Sequence, residues 1–147
     1  MTTGYTFRNA KIEISVDGGS NWTDISGQSN ALTPSGGDRE VGTFFDASND
    51  YPTLGAGKRG ELEIDLRVKY GETAGQGYNI LESAYENATE VMIRWSPRGG
   101  SSGQVLYTSD AGYVKTHQYP GQEVESGDPL RSEDKLVVSK LTKSTIS

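Results

Sequence analysis

The sequence predicts a mainly β chain: an antiparallel β-sandwich or open barrel flanked by one α-helix, with one long irregular loop. Three observations carry this. Apolar and polar residues alternate with period two in several short stretches, the pattern of half-buried strands. Glycine is abundant, at 19 residues, and punctuates the intervals between those stretches. Only one stretch carries apolar residues at helical spacing.

The elements follow in chain order. In "KIEISVD", Ile12, Ile14 and Val16 alternate with Lys11, Glu13, Ser15 and Asp17, which predicts a strand. "DGGSN" is a turn and "WTDIS" a short return strand. Residues 27–59 lack a stable period, and 34–59 are expected to form the long loop, with a strand possible only in "EVGTFF". In "GELEIDLRVKYGE", Leu62, Ile64, Leu66, Val68 and Tyr70 alternate with Glu61, Glu63, Asp65, Arg67 and Lys69. One face is wholly apolar and the other wholly charged, so this strand has a wet side. Ile80, Leu81, Ala84, Tyr85 and Ala88 recur at helical spacing and predict a helix over 77–88 that covers the apolar face of a sheet. "EVMIRWSP" is a strand stopped at Pro97, and "RGGSSG" is a connector. "QVLYTS", "SDAG" and "YVKTHQY" read as a hairpin. "PGQEVESGDPLRSED" reads as a polar loop, and "KLVVSKLTKST" closes the chain as one strand. The sum is about eight strands and one helix in a single domain, residues 1–147, with no internal repeat.

Composition narrows the functions. With 14 basic and 20 acidic residues the net charge is −6, and no basic cluster exceeds the pair Lys58–Arg59. Tight duplex binding needs a clustered basic footprint, so a partner held by phosphate neutralisation is not expected. There is no cysteine, which removes disulfides, thiolate metal sites and a Cys nucleophile. No apolar run approaches the roughly 20 residues of a membrane span. "MTTGYTFRNAK" has no apolar signal segment, so the sequons at Asn21 and Asn87 are expected to be chance matches and the chain cytoplasmic.

Several motifs invite chemistry. "SVDGGSNWT" fits the S-x-D-x-G-x-x-W pattern of the Asp-box hairpin known from sialidase blades. Its parts are structural: Asp17 bonds turn amides, Gly19 permits positive φ, and Trp22 anchors the turn to the core. A propeller needs at least four blades of about 40 residues, and one copy in this chain cannot make one. The lone His117 has no nucleophile or orienting carboxylate at a telling spacing, so a structural or exposed role is expected. One His without Cys also makes a zinc site unexpected. "GAGKR", Gly55–Arg59, fails the phosphate-loop pattern: Pro52 stands at the first Gly position, Arg59 at the Ser/Thr position, and no helix follows, so a turn is expected. "FDASNDY" offers Asp46, Asn49 and Asp50 as oxygen ligands but lacks the EF-hand spacing and distal Glu. Along one strand face, neighbours among Glu61, Glu63 and Asp65 stand about 7 Å apart, within reach of a glycosidase-like pair. An acid with a raised pKa needs a dry pocket, and a stripe that also holds Arg67 and Lys69 reads as solvated. No catalytic set, cofactor or metal is expected.

Whole-chain order resembles the major tail (tail tube) protein of long, non-contractile-tailed bacteriophages. The residues carrying the resemblance are "KIEISVDGGSNWTDISG", "PSGGDREVGTFFDASNDYPTLGAGKRGELEIDLRVKY", the single helix, "VMIRWSPRGGSSGQVLYTSDAGYV" and "GDPLRSEDKLVVSKLT", covering roughly residues 8–145. The resemblance implies a subunit of hexameric rings that stack head to tail into a tube conducting the phage genome. It implies that strands of each subunit form a continuous inner barrel, that the helix lies outside, and that long loops bridge rings. Its expected partners are further copies of itself, tape-measure, tail-terminator and distal tail proteins, and passing DNA without sequence-specific contacts. Its expected place is the virion tail, after assembly in the host cytoplasm. The candidate lumen stripe is Glu61, Glu63, Asp65, Arg67 and Lys69, on the ground that an acidic surface lets DNA slide. The candidate inter-ring loop carries Asp38, Arg39, Phe44, Phe45, Asp46, Asp50, Tyr51, Lys58 and Arg59. A carbohydrate-binding β-sandwich is the alternative, with Trp22, Trp95 and the eight tyrosines as stacking platforms.

Overall fold

Ile12 and Ile14 point from one side of β1 (Lys11–Ser15) and both are buried, as the alternation requires. The strand ends at Ser15, so Val16 is exposed instead of joining them. The computed structural model describes residues 4–48 and 50–147. After β1 come β2 (Thr23–Asp24), β3 (Ser29–Gly36), β4 (Arg39–Phe44), β5 (Thr53–Arg59) and β6 (Leu62–Lys69). They are followed by α1 (Gly77–Asn87), β7 (Met92–Ser96), β8 (Val105–Ser109), β9 (Tyr113–Thr116), β10 (Arg131–Val138) and β11 (Leu141–Thr145).

The strands make a five-stranded sheet in the order β11-β8-β7-β1-β2 and a four-stranded sheet in the order β3-β6-β10-β9. β4 and β5 form a separate two-stranded pair. Every strand pair is antiparallel. The two larger sheets share one core. Ile12, Ile14, Ile93 and Trp95 come from the first, and Ile64, Leu66, Val68, Leu136 and Val138 from the second. Each such side chain contributes about 1.5–3 kcal/mol by leaving water.

The helix forms where expected. Its first amide, Gly77 N, donates to the Gln28 side-chain oxygen at 2.7 Å, so a distant residue caps it. It ends at Ala88, which takes the left-handed conformation at φ 51°. Tyr78, Leu81 and Ala84 are buried, and α1 packs against β6 and β9. Tyr85 and Ala88, expected on that face, are exposed.

Four expectations are corrected. First, residues 34–59 are not irregular. The β3–β6 ladder runs on through Gly37 N to Glu61 O and Gly60 N to Asp38 O, both 2.8 Å, into β4 paired with β5. Gly36 and Gly37 take φ of 79° and 72°, which lets the ribbon turn as it leaves the sheet. All residues of β4 and β5 are exposed, so no face is dry and no alternation is written. "GAGKR" therefore lies in a strand, not a turn. Second, "KLVVSKLTKST" is two strands in different sheets, broken after Val138. Third, β8 and β9 are not a hairpin: β8 pairs with β7 and β11, while β9 pairs with β10. Fourth, β10 begins at Arg131 inside the supposed loop. Ser132 and Asp134 occupy its core-facing positions, and their polarity hides the period. The described residues thus hold eleven strands instead of about eight. Among them, no helix is long and apolar enough to cross a membrane.

Leu81 is 0% exposed and joins the helix to the core. Leu81→Ala is expected to lower stability by about 2–5 kcal/mol, measured as a shift in the urea midpoint.

Candidate functional site

The charged residues of β6 lie on the outer, wet side of the four-stranded sheet. Glu63, Asp65 and Arg67 do not stand alone. Arg67 Nη2 lies 2.9 Å from Glu133 Oε1, Lys115 Nζ 2.9 Å from Glu63 Oε1, and Lys135 Nζ 3.7 Å from Asp65 Oδ1. Two of these pairs are direct cross-strand neighbours, Arg67 opposite Glu133 and Asp65 opposite Lys135. The hydrogen bond and charge of Lys115 hold the Glu63 carboxyl below its ordinary value and raise Lys115 in turn. Ala31, Thr33, Asp65, Arg67, Glu133 and Lys135 line a depression of about 560 Å³ on this face. Lys69 faces Arg131 at one end of the ladder. Glu61, Glu63, Asp65 and Glu133 thus stand against Arg67, Lys69, Lys115, Arg131 and Lys135. The face is mixed, and the expected acidic surface is not there.

The ribbon is the second surface. Arg39 and Phe44 lie on β4, and Lys58 and Arg59 on β5. Asp38 is at the base, and Phe45, Asp46, Asp50 and Tyr51 are in the tip segment between the strands. Phe44 is 68% exposed, Phe45 63%, Tyr51 81%, Leu54 65% and Val41 57%. The register places Leu54 opposite Thr43, hence on the face of Val41, while Phe44 takes the other face. Both faces therefore carry uncovered apolar side chains. Arg39 stands opposite Arg59 and donates from Nη1 to Gly57 O at 2.8 Å. Asp46 Oδ1 accepts the Ser48 amide and hydroxyl at 2.8 and 2.7 Å, a local turn. Asn49, the third residue of the calcium reading, lies outside the described residues. Among the described residues no three His, Cys, Asp or Glu side chains gather as a metal site.

In the "SVDGGSNWT" hairpin, Asp17 Oδ1 accepts the Asn21 amide at 2.9 Å and Oδ2 accepts the Asn21 side chain at 2.7 Å. The Ser15 hydroxyl donates to Asp17 at 2.8 Å and accepts the Gly19 amide at 3.0 Å. These bonds, the Asn21 amide foremost, hold the Asp17 carboxyl down to about 2. Gly19 has φ 92°, a conformation that side chains resist. Trp22 does not anchor the turn in the core. It is half-buried, with the Arg94 guanidinium 4.2 Å over its ring and Arg94 tied to Glu13 at 3.0 Å. The core residue of this segment is Ile25, at 0% exposure. Trp95 is buried, so neither tryptophan presents an open platform for a sugar.

His117 proves to be buried, with a carboxylate that its sequence spacing did not disclose. Nδ1 lies 2.9 Å from Asp134 Oδ1, and Nε2 lies 3.5 Å from Glu82 Oε2 on α1. Asp134 Oδ1 also accepts from the Ser132 hydroxyl at 2.8 Å and the Gln118 amide at 3.2 Å. Burial pushes the Asp134 carboxyl up, against the pull of these hydrogen bonds and of His117. The rings of Tyr78, Tyr85 and Tyr119 surround the imidazole, and burial also raises the Tyr78 hydroxyl. The Ser132 hydroxyl is spent on Asp134 and on Gln118 O, so the trio lacks the serine-to-histidine contact of a nucleophilic relay. It fastens α1 to β9 and β10.

The sequence matches no protein-family model and no curated protein. Solved structures do match. A chain of the anti-feeding prophage baseplate aligns at TM-score 0.75 and 11% identity, over 100% of this chain and 99% of that one. The SPP1 tail tube aligns at 0.72 and 15% identity, over 98% of this chain and 81% of that one. The tail of an empty gene transfer agent particle aligns at 0.68 and 9% identity, over 100% of both. The chain has the tail-tube fold. In that fold the mixed-charge face and the bare ribbon both lie outside the buried core.

Two outcomes are expected. Asp134→Ala strands several buried donors and should cost about 3 kcal/mol or more, against less than about 1 kcal/mol for Asp65→Ala, both by urea denaturation. Asp17→Ala should melt lower than wild type at pH 7. Because the folded pKa is depressed from 3.8 to about 2, that gap is full above the first value and closes as pH falls through the second, which melting curves across this range read directly.

Proposed function

We propose that this chain is the structural subunit of a phage-type tail tube. Six copies close a ring, and rings stack head to tail into the conduit for genome delivery. The single observation that carries the reading is the ribbon: a paired, hydrogen-bonded element with no buried residue, rich in apolar side chains, on a tail-tube fold matched over the full chain. A monomer gains nothing from such an element, and exposed apolar patches mark interaction sites.

The ring follows from edges. The four-stranded sheet ends in β3 and β9, which leave backbone donors and acceptors open. Joining β3 of one copy to β9 of the next removes both edges and makes one continuous inner barrel, a heterologous contact that closes as a ring. The gene transfer agent tail, described with C6 symmetry, supports six copies. The outer face of that sheet, with Glu61, Glu63, Asp65, Arg67 and Lys69, then lines the lumen. The ribbon, with Phe44, Phe45 and Tyr51 at its far end, reaches the next ring. Tape-measure, terminator and distal tail proteins complete the assembly, and DNA passes without sequence-specific contact. The protein resides in the virion tail after assembly in the host cytoplasm.

Negative-stain images of concentrated protein test the reading: rings or tubes are expected, and a protein that stays monomeric at every concentration ends it. Deleting residues 40–57 removes no core residue among those described and should leave a folded subunit, by circular dichroism, that forms no tubes. Normal tubes from that deletion would remove the ribbon from the inter-ring contact.

A further inference from the structure

The ion pairs on the outer face of the four-stranded sheet pose a question of magnitude. Their side chains are 30–57% exposed, and exposed pairs contribute little to stability. Three of them nonetheless occupy one face, and each acid lies within 4 Å of a different base. Two are set by register: Glu133 opposite Arg67 and Asp65 opposite Lys135. The third is not. Val137 stands between Glu63 and β9 in the ladder, and Lys115 reaches across it to bring Nζ within 2.9 Å of Glu63. A lysine free to point into water instead folds over a neighbouring strand to meet a carboxylate. The two bases of the face with no such pair among the described residues, Lys69 and Arg131, stand together at the sheet end beside the loop residue Asp128.

We infer that Glu63, Asp65 and Glu133 are masks: each holds one base of the conduit wall in an ion pair, so at Arg67, Lys115 and Lys135 a passing polyanion meets compensated charge, and free cations are confined to Lys69 and Arg131 at the sheet end. The inference rests on the reading of this face as the lumen. Its physical content comes from repetition. One free lysine on a monomer is a weak phosphate contact. The same lysine repeated around a ring, and in every ring of a stack, is a positively charged sleeve around a duplex that carries one charge per about 1.7 Å of axis. Phosphate contacts add, so unmasking turns a slide into a trap. The acids therefore govern passage, and the partner they select for is a polyanion in transit.

Glu63→Gln, Asp65→Asn and Glu133→Gln, singly and together, keep side-chain size and remove the masks. Tubes of wild type and variants are verified by electron microscopy and sedimented with a short fluorescent DNA duplex over a salt series. Wild-type tubes should leave the duplex in solution. The triple variant should capture it at low salt, at least about tenfold more tightly, and release it as salt rises. Adding Arg67→Gln, Lys115→Gln and Lys135→Gln to the triple variant should abolish capture. A second triple, Asp24→Asn, Glu86→Gln and Glu90→Gln, makes the same change in net charge on β2 and around α1, away from this face, and should capture nothing. Unmasked tubes that ignore the duplex, wild-type tubes that bind it equally well, or control-variant tubes that bind as the first triple does would each overturn the proposal. If the triple variant forms no tubes, the single Glu63→Gln tubes decide by the same criteria. Failure of wild type itself to form tubes sinks the tube reading instead, and the image separates the two.

Discussion

β6 is hydrogen-bonded on both sides along its length, to β3 on one flank and β10 on the other. That double ladder is what the remaining features hang from. Its inward side chains, Ile64, Leu66 and Val68, are at 0–1% exposure and sit at the centre of the shared core. Its outward side chains are the charged wall. Its N-terminal end continues, through Gly60, into the ribbon. A single strand with strict period-two chemistry thus supplies the core, the face and the mast of the ribbon, because successive side chains on a pleat must point to opposite sides.

The energetics divide along the same plane. Inside, burial of aliphatic side chains and the His117–Asp134–Glu82 fastening account for cohesion. Ser132, Asp134 and His117 enter that interior bonded to one another or to Gln118, since an unmet buried donor or acceptor is costly. Outside, the ion pairs of the sheet face are too exposed to matter much for folding. The ribbon strands add backbone pairing but no buried residue. The parts that contribute least to the monomer are the parts that an assembly would use, which is the pattern expected of a subunit whose stability is partly held in its neighbours.

The fold class and the helix were readable because they depend on local periodicity. The charged side of β6 was readable for the same reason, but not Lys115, Arg131, Glu133 and Lys135, which share its face from other strands. What the stripe does was not. Arg67 and Lys69 put positive charge on that stripe, and only β10 reveals that Arg67 is half of a pair with Glu133. The ribbon was misread because an element with no buried face writes no alternation. β10 was half lost because Ser132 and Asp134 hold core positions, and a polar residue there is intelligible only with His117 beside it. Trp22 was misassigned because a tryptophan next to a turn suggests a core anchor, whereas Arg94 gives its ring a cover at the surface.

By itself the sequence determined where strands and helix could form, which side of β6 is dry, and how the Asp17 turn is made. Each is settled by residues a few positions apart, through side-chain period and local hydrogen bonds. Only the tertiary structure decided that β10 and β11 part into different sheets, that residues 34–59 pair as a ribbon, that His117 finds Asp134, and that Glu63 meets Lys115 from 52 residues away. Those outcomes depend on which strands lie side by side, and strand order is fixed by the burial of the whole core at once rather than by any one segment.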